Sequence, residues 1–168
     1  MNQKTELPCC PRFDPDPWDE RELHWHDKLF VKDSVLTFMH IPLNLMPVTQ
    51  RMWKQASDAG AAPDLKDWVL LSHDPNAWRS DQYLAVTREV PGMEHVRFTG
   101  TMLSKVFEGP YREAGKWHSQ MIEYAKSQGK DPEKIFFFYT TCPKCAKIYG
   151  KNYVVALAQV GNGASPAL

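Results

Sequence analysis

The sequence predicts an α+β fold built from duplicated strand–helix–strand–strand halves. These would form a curved, mainly antiparallel sheet with two helices on one face. Two apolar stripes with helical spacing each follow a long strand-like segment and precede two short ones. The order and lengths of these elements repeat, with halves spanning 28–86 and 95–156. A chain of 168 residues is expected to form one domain around such a core.

The first half begins with a long strand or bent strand pair over residues 28–43. A helix is predicted from Met46 to Ala59, because Pro47 lies near its start and Gly60 provides a C-terminal stop. Two short strands at 68–71 and 83–86 then complete this half.

The second half repeats this order, beginning with a long strand at 95–108. Gly109 and Pro110 then open a helix whose apolar stripe stops at Gly129. Strands at 135–138 and 153–156 complete the half. We expect the open concave face between the halves to form a ligand groove.

The terminal segments have a different composition from the central domain, predicted at residues 25–160. Residues 1–24 are rich in proline and are expected to be an extended arm, and Phe13 and Trp18 would pack it onto the body. The Gly-, Ala-, Ser- and Pro-containing residues 161–168 are predicted to be a disordered tail.

Charge and hydropathy limit the classes of partner that we expect this chain to bind. Lys plus Arg and Asp plus Glu number 20 each, so the balance lacks the basic excess typical of nucleic-acid binding. No apolar run reaches the roughly 20 residues that cross a membrane, and the N-terminal segment has no apolar signal core. We therefore expect a cytoplasmic protein whose partner is a small molecule, with neither nucleic acid nor a membrane.

Four cysteines form two clusters, Cys9–Cys10 and Cys142-Pro-Lys-Cys145. Two thiolates in a Cys-x-x-Cys turn can hold one tetrahedral ion, and the other pair would complete a structural zinc site. His24 or His26 could substitute as ligands. A redox or disulfide role is an alternative, although the expected hairpin location suits it less than a helix N-terminus. Four reduced thiols without a special role are the third interpretation.

Glu108 stands where a long strand meets the Gly109-Pro110 turn. A partly desolvated carboxylate there could bind a cation or act as a general base. Its ordinary alternative is an ion pair with Lys105 or Arg112. His40 ends the first long strand at the corresponding place and could face Glu108 as an acid–base partner, or serve only a structural role.

Four aromatic side chains are candidates for the groove. Tyr111, Trp117 and Tyr153 could contact a flat or cationic ligand. The Tyr139 phenol could stabilise negative charge during catalysis. Trp117 also lies on an apolar helical stripe, so burial beneath the helix is its alternative role.

The segment Val106-Phe-Glu-Gly-Pro-Tyr111, followed by Trp117, resembles the GyrI-like small-molecule-binding family, which shares its fold with SOUL and effector-binding domains. The Cys-Cys-Pro-Arg-Phe arm and the Cys-Pro-Lys-Cys-Ala-Lys segment resemble a bacterial subgroup labelled "hydrolase". The resemblance implies a small-molecule-binding protein with a groove between pseudo-symmetric halves. The alternative is a hydrolase in which Glu108 activates water and a tyrosine phenol assists.

Overall fold

In the computed structural model, which describes residues 10–161 and 164–166, a closed barrel replaces the predicted open sheet. Six strands follow one another around it in the order β1 (Arg21–Phe38), β4 (Arg79–Ala85), β3 (Leu70–Asn76), β6 (Lys134–Tyr139), β7 (Tyr153–Gln159) and β5 (Glu94–Glu108). Antiparallel pairing of β5 with β1 closes the ring. Two short strands, β2 (Ile41–Pro42) and β8 (Ala164–Pro166), pair with β1 and β5.

Three α-helices occur among the described residues: α1 (Leu45–Asp58), α2 (Ala114–Ser127) and α3 (Pro143–Tyr149). None of them is long and apolar enough to span a membrane. The α+β class and the mainly antiparallel sheet are confirmed. Helix α3 was not predicted, because its segment was interpreted as an irregular part of a hairpin.

The α1 and α2 helices cover separate parts of the barrel's outer surface. Val48, Met52 and Ala56 of α1 pack on alternate residues of β1. Met121 and Ala125 of α2 pack on β5, β6 and β7. These are the apolar stripes that the helical spacing predicted, and Gly60 and Gly129 lie just beyond the helices with positive φ.

Side chains fill the barrel interior. Phe30, Phe98 and Phe136 are almost completely buried there and meet edge to face, with ring centroids 5.1–5.5 Å apart. The structure therefore does not have the open groove that we expected between the halves. Pairing of β1 with β5 closes the concave face, and aromatic rings occupy the space inside. An open sheet would have left these rings in water.

Both halves use the same pairing pattern. The long strand β1 pairs with β4 of the β3–β4 hairpin, and the long strand β5 pairs with β7 of the β6–β7 hairpin. Whether the halves superpose through a two-fold axis stays a prediction.

The terminal segments differ in detail from the prediction. Strand β1 begins at Arg21, within the segment assigned to the arm, and residues 10–20 precede it. In the predicted tail, residues 164–166 pair with β5 rather than being disordered.

Because the strands alternate in direction, the barrel has two distinct ends. We call the end formed by Arg21, Tyr139, Tyr153 and Glu108 the arm end, because residues 10–20 cover it. The other end, formed by Phe38, Glu94 and the β3–β4 turn, is the hairpin end. The candidate site residues divide between these two ends.

Candidate functional site

Three cysteines from distant parts of the chain meet at the arm end. The Sγ atoms of Cys10, Cys142 and Cys145 all lie within 4.8 Å of one another. Cys145 is completely buried, and the other two are partly buried. Three thiols at this separation could hold one metal ion.

The start of α3 positions two of these thiols. Pro143 occupies the first turn of the helix, and Cys142 is its N-cap, with its Sγ accepting a hydrogen bond from the Cys145 N–H at 3.5 Å. The Cys10 N–H donates to the Cys145 Sγ at 3.3 Å. Hydrogen bonds of this kind favour the thiolate form that metal binding requires.

The arm that carries Cys10 is held on the barrel at several points. Phe13 and Trp18 pack against Phe138 of β6, with ring centroids 6.3 and 5.6 Å away. The Ser104 hydroxyl donates to the Trp18 carbonyl at 2.6 Å. The Tyr149 hydroxyl of α3 donates to the carbonyl of Cys10 itself. Cys10 is therefore placed by packing on both the barrel and α3.

When no cation is present, burial opposes ionisation of the Cys10 thiol. Burial raises the pKa of the Cys10 thiol to about 12, and the adjacent Cys145 and Cys142 side chains add to the rise, partly offset by a backbone hydrogen bond from Cys142. A divalent cation would reverse this balance, since its charge stabilises several nearby thiolates at once.

The predicted zinc ligands fit this cluster in part. Cys10, Cys142 and Cys145 come together as expected, and Cys9 lies outside the described residues. The substitutes His24 and His26 do not join them: His24 Nδ1 lies 3.3 Å from the Thr101 hydroxyl oxygen, and both imidazoles are exposed on β1.

Glu108 and Tyr153 also lie at the arm end, directly opposite each other in the β5–β7 register. The Glu108 carboxylate is exposed, and its expected partner Lys105 instead binds Glu20 at 2.9 Å. The Tyr153 ring contacts Phe13 of the arm, with centroids 5.9 Å apart. Glu108 thus borders the surface where the arm docks.

Tyr111 connects the start of the second half's helical segment with the cysteine cluster. Its hydroxyl donates to the Thr141 carbonyl, one residue before Cys142, at 2.9 Å. Burial raises the pKa of the Tyr111 phenol, and the neighbouring Cys142 and Cys10 thiols raise it further. The phenol therefore keeps its proton at neutral pH and can donate a hydrogen bond.

Tyr139 packs against Tyr111 on the outer surface of the barrel, with ring centroids 5.7 Å apart. Burial raises its pKa to about 12, so it too remains protonated. Tyr139 lies opposite Val154, whose side chain faces outward, so the Tyr139 side chain also faces outward. Glu108 lies opposite Tyr153, which precedes Val154 in β7 and therefore faces the other way. The two predicted catalytic groups therefore lie on opposite faces of the barrel wall.

Two predicted ligand-binding residues lie elsewhere. Trp117 is 4% exposed and stacks on Phe107 beneath α2, at 5.9 Å and 20°, so it belongs to the core. His40 lies at the hairpin end, with its Nδ1 2.9 Å from an Asp74 carboxylate oxygen. The predicted pair of His40 and Glu108 is wrong, because antiparallel β1 and β5 place their C-terminal ends at opposite ends of the barrel.

A surface depression of about 340 Å³ lies along α3, beside Cys142 and Cys145, and is lined by Pro143, Lys144, Lys147 and Ile148. Arg12 of the arm lies nearby, with its guanidinium carbon 4.5 Å from the Tyr149 ring centroid. Sequence reasoning missed these cations, although Lys144 stands within the Cys-Pro-Lys-Cys motif. They were missed because α3, the helix that places Lys144 and Lys147 beside the depression, was not predicted.

The hairpin end holds a second polar group of side chains that the sequence did not indicate. Asp81 is only 4% exposed, accepts a hydrogen bond from the Ser34 hydroxyl at 3.1 Å, and forms an ion pair with Arg79, whose Nε lies 3.1 Å from its carboxylate. His73 lies opposite Asp81 in the β3–β4 register, and burial lowers its pKa. The polar groups of Asp81 and His73 therefore have their partners within the chain.

Comparison with known proteins places this chain in a family. Residues 1–160 match the family described as bacterial hydrolase, a range that includes the arm, the barrel and the Cys142–Cys145 segment. No curated protein matches the chain. The resemblance to GyrI-like proteins stays a prediction. On the extent of the family match, the chain belongs to the bacterial hydrolase family.

Proposed function

We propose that this protein hydrolyses a small molecule at a zinc centre held by the thiolates of Cys10, Cys142 and Cys145. The observation that carries the proposal is the approach of three Sγ atoms, from the arm and α3, to within 4.8 Å of one another. Membership of the bacterial hydrolase family supports the reaction class. A binding role in a groove between the halves has less support, because aromatic side chains fill the barrel.

Among the residues that the structure describes, three thiols come together, and we propose a catalytic rather than a purely structural role for them. Structural zinc sites use four protein ligands, whereas catalytic sites use three and keep one position open for water. Adjacent cysteines such as Cys9 and Cys10 could both reach one ion only with a strained backbone. We therefore assign the fourth position to water rather than to Cys9.

Zinc at such a site would lower the pKa of a bound water and so supply a nucleophile at neutral pH. The chain's own side chains would assist from the arm end. Glu108 is our candidate for accepting a proton, since its carboxylate is exposed and borders the docked arm. The Tyr111 phenol already donates its proton to the Thr141 carbonyl, so we assign it the role of positioning the Cys142 segment, and its contact with the Tyr139 ring supports it.

The substrate class follows from the surface beside the metal ligands. Lys144 and Lys147 line the depression along α3, and Arg12 lies on the neighbouring Tyr149. Lys147 and Arg12 are two cations beside a partly apolar surface, which favours a small substrate with a carboxylate or phosphate group. Esters and lactones with such a group are the compounds to test first.

The decisive experiment compares protein depleted of metal, reloaded with zinc, and carrying Cys142→Ser. Activated aryl esters and lactones, each with and without an acidic group, serve as substrates. We expect turnover only with zinc bound, a loss of ~100-fold or more in Cys142→Ser, and a preference for acidic substrates. Equal turnover by depleted and reloaded protein would contradict the zinc mechanism.

Glu108→Gln tests the proposed base separately, because it preserves shape and removes the charge. We expect turnover to fall by ~100-fold while zinc content and folding stay unchanged. Glu123→Gln, at an exposed position on α2, is the matched control. If Glu108→Gln turns over every substrate as fast as Glu123→Gln, Glu108 has no catalytic role.

A further inference from the structure

Part of the sheet extends beyond the barrel at its hairpin end. Strand β1 pairs with β5 only as far as Lys32, whereas its pairing with β4 continues to Leu36. Beyond that point β1 folds back onto β2, so that Phe38 lies opposite Ile41. We call residues 33–46 and 76–79 the ribbon. One of its faces has no covering element among the described residues.

Internal hydrogen bonds fix the shape of the ribbon. The Leu43 N–H donates to the Leu36 carbonyl at 2.9 Å, and the Thr37 N–H donates to the Trp78 carbonyl at the same distance. The Leu36 N–H donates to the Asn44 side-chain oxygen at 2.8 Å. The ribbon is therefore a preorganised surface, which lowers the entropic cost of binding a partner.

Large apolar side chains cover this surface. Seven of them are more than half exposed, and we call them the ribbon patch: Leu36, Phe38, Met39, Ile41, Leu43, Met46 and Trp78. Phe38 and Trp78 meet edge to face with ring centroids 5.5 Å apart. Val35 and Thr37, which alternate with Leu36 and Phe38 along β1, are buried.

The size of the ribbon patch matches one side of a stable dimer. Seven side chains of this kind, each more than half exposed, present on the order of 700 Å². The largest apolar patch on a monomeric protein is about 300–600 Å², and a standard interface buries about 800 Å² per partner. Aromatic and methionine side chains are also those enriched in interface centres.

The charges around the patch favour a second copy of this chain over an anionic membrane. The nearby charged groups are paired within the chain: Arg51 with Asp33 at 2.7 Å, and His40 with Asp74 at 2.9 Å. A membrane-binding surface would need an unbalanced basic rim. Because the net charge is zero, two copies do not repel each other strongly.

We propose that the ribbon patch is the interface of a symmetric homodimer, in which Phe38 and Trp78 of one protomer pack against the same patch of the partner. A two-fold axis through the patch lets one apolar surface bury itself against its copy. The interface lies at the opposite end of the barrel from the cysteine cluster, so dimerisation leaves the cysteine clusters of both protomers uncovered.

The test uses sedimentation equilibrium of the full-length protein over a wide concentration range. We expect a reversible dimer, and a rise of ~10-fold or more in its dissociation constant for Phe38→Ser and for Leu43→Ser. Leu65→Ser is the matched control, since Leu65 is 60% exposed but precedes β3 at the arm end, so its dimer should dissociate as the parent does. Hydrogen exchange should show concentration-dependent protection of residues 36–46 in the parent and in Leu65→Ser, but not in Phe38→Ser or Leu43→Ser.

Three results would overturn the proposal. The parent could remain monomeric at every concentration. It could form a dimer that Phe38→Ser and Leu43→Ser leave intact, which would place the interface elsewhere. It could instead remain monomeric and bind phosphatidylcholine–phosphatidylglycerol vesicles through Phe38, which would identify the patch as a membrane-contacting surface.

Discussion

Replacing Phe13 by alanine should weaken metal binding without touching a metal ligand. Phe13 lies three residues after Cys10, and its ring contacts Trp18, Phe138 and Tyr153 at centroid distances of 6.5, 6.3 and 5.9 Å. Because this one partly buried ring makes all three contacts at long centroid distances, together they contribute about 1 kcal/mol, and burial of the ring adds about 1 kcal/mol. We therefore expect Phe13→Ala to weaken docking of the arm by about 2 kcal/mol.

The loss of docking free energy in Phe13→Ala sets an upper limit on the loss of zinc affinity. Cys10 can reach the metal only while the arm is docked, so the apparent affinity scales with the docked fraction. A loss of about 2 kcal/mol lowers zinc affinity by at most ~30-fold. Competition with a chromophoric chelator measures this affinity, and cobalt substitution reports the number of thiolates through charge-transfer absorption.

Leu65→Ala is the control for Phe13→Ala, because its exposed side chain lies outside the arm contacts. It should leave zinc affinity unchanged. If hydrogen exchange shows that Phe13→Ala releases residues 10–20 from the barrel, but the variant binds zinc as tightly as the parent, then the arm does not deliver Cys10 to the metal. The three-thiolate centre would then be wrong.

Two further predictions concern the framework. Trp117→Ala should destabilise the protein by about 3–5 kcal/mol in urea unfolding, because it empties a buried site beneath α2 and removes the stack on Phe107; a change below 1 kcal/mol would mean that Trp117 is not a core residue. Burial lowers the pKa of His73 in the folded protein, so the unfolded chain binds more protons as the pH falls below 6.5, and stability declines from there toward the lower folded pKa. His73→Gln should remove this part of the decline between pH 7.5 and pH 5.5, and identical declines in both proteins would refute it.

Local patterns in the sequence predicted the elements well. The apolar stripes at Val48, Met52 and Ala56, and at Trp117, Met121 and Ala125, correspond to the buried faces of α1 and α2. Gly60 and Gly129 marked the helix ends because both adopt positive φ there. Periodicity and stop signals depend on neighbouring residues, so a single sequence contains them.

Closure of the barrel depends on contacts distant in sequence and was not predicted. It requires β1 to begin at Arg21 and to pass through an irregularity between Trp25 and Lys28, where Asp27 has a φ of 47°. The turn from β1 to β2 was equally hidden, since Met39 and His40 adopt positive φ without glycine or asparagine. The prediction of an open groove was wrong, because it depended on a first strand that began at residue 28 rather than at Arg21.

The cysteine cluster was predicted by residue type but not by arrangement, and the roles of the other site residues stay predictions. Clustering of cysteines in the sequence identified Cys10, Cys142 and Cys145, and the structure brings them together. The strand-to-helix position indicated Glu108 and Tyr111, which share the arm end. The error with His40 came from comparing equivalent positions in two halves whose long strands run antiparallel.

Zinc X-ray absorption spectroscopy on the reloaded protein tests the central proposal most directly. It measures the number and distance of sulfur neighbours around the metal. We expect one zinc per chain with three sulfur atoms at about 2.3 Å and one oxygen neighbour at about 2.0 Å, as an open catalytic site requires. A shell of four sulfur atoms would make Cys9 a ligand and the site structural, and protein that binds no zinc would contradict the account altogether.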